Sequence, residues 1–203
     1  MPITPSYRPT KDLEIKDNVF KTKIDGLYYL GFNHFPDERG FFAEVGHTHK
    51  IEAITGEPFK IAQVNHSRSL EKVVRGMHAE GWNKLVFVTG GVSFSALADV
   101  RPDSDTFGKV ETFLLGVNGD ALKGSLFITK GIANSVCVVE HPVDYIYCVD
   151  QLYKDRDKAD DQAISLFDKD LNINWPLKKE DMIISDRDKQ AVTLRAKFPN
   201  KFK

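Results

Sequence analysis

An all-β sandwich or barrel is the fold class this sequence predicts, on three observations. Short apolar runs of strand length recur along most of the chain, turn-forming residues separate them, and only one segment of the first half has helical character. The runs, in order, are Leu27 to Phe32, Phe41 to Val45, Phe59 to Asn65, Leu85 to Thr89, Val92 to Val100, Val110 to Leu115, Ser125 to Thr129, Asn134 to Val139 and Tyr145 to Val149. Each suits a strand of ordinary length. Turns are expected at Gly90-Gly91, Arg101-Pro102-Asp103-Ser104, Asn118-Gly119-Asp120, Lys130-Gly131 and His141-Pro142, where glycine, proline and short polar side chains favour chain reversal. The helical segment lies around His49 to Ile54. Residues 1–18, with Pro2, Pro5 and Pro9 set against regular structure, read as an N-terminal arm, and residues 19–203 as one domain. After Ala163 the chain is charged, and Asn174-Trp175-Pro176-Leu177 is its main apolar anchor.

The composition narrows the possible functions. With 203 residues the chain can bury a substantial core. Its 28 basic and 29 acidic residues, a formal net charge of -1, give no electrostatic footprint for nucleic acid or an anionic membrane. An anionic ligand would therefore have to be held by a local cluster. No window approaches the roughly 18 apolar residues that span a bilayer, and the start lacks a signal-peptide pattern, so a soluble cytoplasmic protein is expected. Cys137 and Cys148 lie in apolar runs, as reduced cysteines acting as small hydrophobes do.

The densest chemistry lies in Val74-Arg75-Gly76-Met77-His78-Ala79-Glu80-Gly81-Trp82-Asn83-Lys84-Leu85. A histidine can take a proton from carbon and return it, and a lysine can hold the negative charge that this creates. Taken alone, His78 reads first as a structural or surface histidine and Lys84 as a solvated surface group. In a regular strand Arg75 and His78 face opposite sides, so they converge only if Gly76 permits a bulge. In Asp144-Tyr145-Ile146-Tyr147-Cys148-Val149, Tyr145, Tyr147 and Val149 share one face, and a tyrosine there needs either a core hydrogen bond or a role as proton donor. Among six histidines only His47 and His49 are closely spaced, with no further ligands at metal-site spacing, so no metal site is expected. There is no phosphate-binding glycine loop between strand and helix, and no nucleophile elbow.

Several motifs occur together in a characteristic order. They are Asp37-Glu38-Arg39-Gly40-Phe41-Phe42-Ala43-Glu44, Gln63-Val64-Asn65-His66-Ser67, Arg75-Gly76-Met77-His78, Asn83-Lys84-Leu85, Asp99-Val100-Arg101, Ser104-Asp105-Thr106-Phe107-Gly108, Tyr147 with Tyr153, Asn174-Trp175-Pro176 and Ile184-Ser185-Asp186-Arg187-Asp188. In these the chain resembles the dTDP-4-dehydrorhamnose 3,5-epimerase family from about Phe35 to Asp188. The resemblance implies a cupin-type jelly-roll β-barrel with a few short peripheral helices, a homodimer, a sugar-nucleotide substrate and a reaction without cofactor or metal. It implies His78 as base, oriented by Asp188 from the C-terminal tail, Lys84 as the group that stabilises an enolate, and Tyr147 as the acid on the opposite face. Arg39, Phe42, Glu44, Gln63, Asn65, Arg75, Asn134 and Tyr153 would bind the substrate, the arginines at the diphosphate.

The chain departs from the family pattern at two positions. Asn134, in Gly131-Ile132-Ala133-Asn134-Ser135-Val136, stands where many members have histidine, and Cys148 where lysine is common. Asparagine bonds a ligand but does not titrate. A relative inverting only carbon 3 or carbon 5, and a non-catalytic sugar-nucleotide-binding module, are therefore the alternatives. A metal-dependent cupin enzyme is a third.

Overall fold

The computed structural model describes residues 3–157, 159 and 161–202. Twelve strands and three short α-helices are found among them: β1 (Glu14–Lys16), β2 (Val19–Lys21), β3 (Leu27–Gly31), β4 (Asn33–Asp37), β5 (Gly40–Glu44), α1 (Thr48–Thr55), β6 (Gln63–Ser69), β7 (Val74–Ala79), β8 (Lys84–Asp99), β9 (Val110–Gly116), β10 (Gly124–Ile128), β11 (Ile132–Val149), β12 (Gln162–Ala163), α2 (Asp186–Lys189) and α3 (Leu194–Lys197). All the strand ladders are antiparallel.

Two long strands organise the barrel. The first half of β8 pairs with β10, and its second half, from Val92, with β9. Its partner β11 pairs with β7 before a bend and with β6 after it, so the β8–β11 pair belongs to both halves of a jelly roll. One half runs β1-β2-β3-β10-β8-β11-β6 and the other β9-β8-β11-β7-β12.

The expected turns at Gly90-Gly91 and His141-Pro142 are corrected by this arrangement. Both lie inside the long strands, where the register between β8 and β11 slips between Glu140 and Asp144. Gly91 has φ +70, and a side chain there would come within 2.3 Å of the Glu140 carbonyl oxygen. Such packing marks a bulge that bends a strand from one sheet to the next, and its residues look like those of a turn. The peptide bonds Gly76-Met77 and His141-Pro142 are cis. The run expected from Phe59 becomes a strand only at Gln63 and continues to Ser69, because Phe59 instead packs edge-on against Phe127 at 5.3 Å.

Among the described residues the buried apolar side chains form three clusters. Leu97, Phe113, Leu115, Leu126, Ile128 and Ile132 lie in one, Met77, Phe94, Ala98, Ile164, Leu166 and Leu194 in a second, and Leu30, Ile51, Phe59, Leu85 and Phe127 in a third. The first eighteen residues were expected to form an arm. Of those described, Tyr7 is buried against Phe113 at 4.6 Å, and its N–H donates to the Thr112 carbonyl, so the segment lies on the barrel of its own chain. The charged tail also has more anchors than Trp175, since Ile164, Leu166, Leu171 and Leu194 are all buried. Among the described residues no helix is long and apolar enough to cross a membrane.

Candidate active site

The two barrel halves enclose a cavity of about 560 Å³, of the size that holds a drug-sized or larger ligand. Strand alternation selects its walls. On β6, Gln63, Asn65 and Ser67 point inward, and they lie opposite Val149, Tyr147 and Tyr145 of β11. From the other half come Arg75 and His78 of β7, with Asn134 of β11 opposite His78.

Arg75 and His78 do share the cavity, through the bulge that their spacing requires. Three steps along β7, from Arg75 to His78, oppose two along β11, from Val136 to Asn134. Gly76 permits it, with φ +125 and no room for a side chain, since an added Cβ would lie 2.7 Å from that of Ser135.

The tail supplies the partner of His78. Ser185 caps α2 by accepting from the Asp188 N–H at 3.2 Å, which holds the Asp188 side chain against β7. Its carboxylate accepts from His78 Nε2 at 2.6 Å and from the Gly76 N–H at 3.2 Å. Burial would raise the Asp188 carboxyl, but these hydrogen bonds outweigh it and hold the group below the usual carboxylate range. Donation from Nε2 leaves His78 Nδ1 as the ring atom with a free lone pair.

Lys84 begins β8 and is buried, its ammonium bonded to Glu80 and to the side-chain oxygen of Asn134. The amide of Asn134 also donates to the Tyr145 hydroxyl at 3.3 Å. Tyr147 has its hydroxyl raised above the usual phenol range, first by burial and then by the charge of Glu80, so it keeps its proton. Arg75 donates to Ser69 Oγ and the Arg68 carbonyl, and among the described residues it forms no ion pair. Tyr153 lies at the cavity edge under the Arg156 guanidinium, 3.7 Å from its ring centre.

Nine of the twelve site residues expected from the sequence therefore line this one cavity: His78, Asp188, Tyr147, Lys84, Gln63, Asn65, Arg75, Asn134 and Tyr153. Arg39, Phe42 and Glu44 do not. They sit on the β4–β5 hairpin, a separate two-stranded sheet, where Arg39 pairs with Asp37 and Glu44 with Asn33 and His47. Glu80 was not among the expected residues. Its place four residues before Lys84 looks like that of a solvated ion pair, and only the burial of Lys84 shows otherwise.

A family model described as dTDP-4-dehydrorhamnose 3,5-epimerase matches residues 21–196. An enzyme of that name from Shigella flexneri is 34% identical over 176 residues, covering 84% of this chain and 92% of its own. The dTDP-4-dehydrorhamnose 3-epimerase of Streptomyces niveus is 28% identical, over 84% of this chain and 81% of its own. The crystal structure of the Legionella pneumophila dTDP-6-deoxy-D-glucose-3,5-epimerase in complex with dTDP-4-keto-L-rhamnose superposes with a TM-score of 0.79 at 30% identity, over 91% of this chain and 96% of that one. Sequence and fold thus agree over most of the chain's length, and it belongs to the dTDP-4-dehydrorhamnose 3,5-epimerase family of isomerases.

Proposed function

We propose that this protein inverts carbons 3 and 5 of a 4-keto-6-deoxy sugar nucleotide, converting dTDP-4-dehydro-6-deoxyglucose to dTDP-4-dehydrorhamnose. The observation that carries this reading is that His78, held by Asp188, and Tyr147, which keeps its proton, enter one cavity from different halves of the barrel. The ketone at carbon 4 already acidifies the hydrogens on carbons 3 and 5, so the chemistry needs no cofactor. His78 Nδ1 removes a proton, Lys84 stabilises the negative charge on the carbon-4 oxygen, and Tyr147 returns a proton from the other face. Two groups are needed because a base that returned its own proton would restore the starting configuration. Arg75, whose charge no carboxylate among the described residues balances, suits the diphosphate. Gln63, Asn65 and Tyr153 line the side of the cavity open to the rest of the substrate.

A homodimer completes this picture. The β4–β5 hairpin exposes Phe35, Phe41 and Phe42 by 54%, 61% and 64%, an aromatic surface that favours burial against another protein. Arg39, Phe42 and Glu44 would then serve the substrate of a second copy. The free, buried Cys137 and Cys148 support a cytoplasmic setting.

Inversion at a single carbon is the second reading. It is favoured by Asn134, an amide that cannot titrate, and by the likeness to an enzyme named as a 3-epimerase. The configuration of the product decides between them. Incubation with dTDP-4-dehydro-6-deoxyglucose, followed by reduction and NMR of the sugar, should show both centres inverted. Inversion at one centre would establish the second reading, and an unchanged sugar would overturn both.

A further inference from the structure

An ammonium group has three N–H donors, and two of those on Lys84 are occupied. One bonds Glu80, which follows β7, and the other Asn134, on β11, the strand paired with β7. The Lys84 side chain is only 4% exposed, so the free direction of its ammonium is set by these partners rather than by solvent. Asn134 is itself oriented, because its NH₂ group donates to Tyr145 and its oxygen is thereby turned to Lys84. Glu80 uses one carboxylate oxygen for Lys84, and its charge acts on both Tyr145 and Tyr147.

We propose that Glu80 and Asn134 are positioning residues that clamp Lys84 through two hydrogen bonds, leaving a single N–H for the carbon-4 oxygen of the substrate. This rests on the proposal that Lys84 stabilises the enolate. The clamp gives the asparagine at 134 a task that needs no titration. It also fixes the ammonium between two acceptors, so the enolate is met by one aimed donor rather than by a mobile cation. A buried donor that loses its acceptor is driven to find another, which moves it from its place.

The test uses steady-state kinetics and solvent-deuterium exchange on Glu80→Ala, Glu80→Gln, Asn134→Ala and Lys84→Met, with dTDP binding measured by calorimetry to establish that each variant keeps a formed site. The clamp predicts that Glu80→Ala and Asn134→Ala lower kcat by about 10²-fold, the cost of displacing a catalytic group by about 1 Å, with KM little changed. Glu80→Gln retains an acceptor oxygen and should recover most of that loss. Lys84→Met should lose at least as much as either alanine variant. Unchanged kcat in Glu80→Ala and Asn134→Ala overturns the clamp while leaving Lys84 in place. A Glu80→Gln variant as slow as Glu80→Ala also overturns it, because the negative charge and not the acceptor would then matter. Unchanged kcat in Lys84→Met overturns the enolate role itself. If Glu80→Ala does not fold, Glu80→Gln beside Asn134→Ala gives the same decision.

Discussion

At 2.6 Å, the hydrogen bond from His78 Nε2 to Asp188 fixes which ring nitrogen is available for chemistry. Asp188 is already held below the usual carboxylate range, so it stays ionised, and the ring stays oriented, throughout neutral conditions. Asp188→Asn replaces an acceptor pair with an amide that can present its NH₂ group to Nε2, which favours the wrong tautomer. The expected result is a fall in kcat of about 10²-fold or more, within the range assigned to acid–base catalysis, while dTDP still binds in calorimetry. An unchanged kcat would remove Asp188 from the mechanism. At this scale the site residues were legible through the motifs that carry the family resemblance. Strand alternation adds only that Gln63 with Asn65, and Tyr145 with Tyr147, share a face, not that the face lines a cavity. Glu80 was not legible, because a carboxylate near a lysine is ordinarily a solvated pair and burial is a property of the folded barrel.

Between residue and barrel, the decisive elements are the bulge in β7 and the bends in β8 and β11. The bulge turns Arg75 and His78 to the same cavity, and it depends on Gly76 at φ +125 with Ser135 packed where a side chain would be. Gly76→Ala should therefore lower unfolding free energy by about 1–3 kcal/mol in urea melts and reduce catalysis together with stability. A variant with wild-type stability would show that the bulge does not need glycine. The need for this bulge could be inferred from spacing, since no regular strand brings positions three apart to one face. The bends were misread because Gly90-Gly91 and His141-Pro142 carry the residues of a turn. What distinguishes them is the pairing that resumes on either side, Val92 with Glu140 and Gly90 with Asp144, which involves partners some fifty residues away in sequence.

Over the whole molecule, three carboxylates held low by their partners make its stability depend on pH. Asp99 is held low by Arg101, Ser104 and Thr106 against a burial effect that would raise it, Asp188 by His78 and its neighbours against the same effect, and Asp144 by Arg68 and His66, from 3.8 to about 2. Because each folded value lies below its unfolded one, their contribution is fully present above about pH 4 and is lost as pH falls toward 2. Urea melts should show constant midpoints from pH 7 to 5 and a steep fall below 4. Asp99→Asn should flatten part of that fall, and an unaltered profile would show that Asp99 does not contribute. The motif of the β4–β5 hairpin was readable, but Arg39, Phe42 and Glu44 lie outside the cavity, and no local pattern reveals where a projecting hairpin sits relative to it.

The central claim is that His78 removes protons from both carbons that flank the ketone. It is tested most directly by incubating wild-type protein and His78→Asn with dTDP-4-dehydro-6-deoxyglucose in deuterated water and following carbons 3 and 5 by NMR. The wild type should incorporate deuterium at both positions, and His78→Asn should lose exchange by about 10²–10⁴-fold at both while still binding dTDP. Exchange that persists unchanged in His78→Asn would contradict the account.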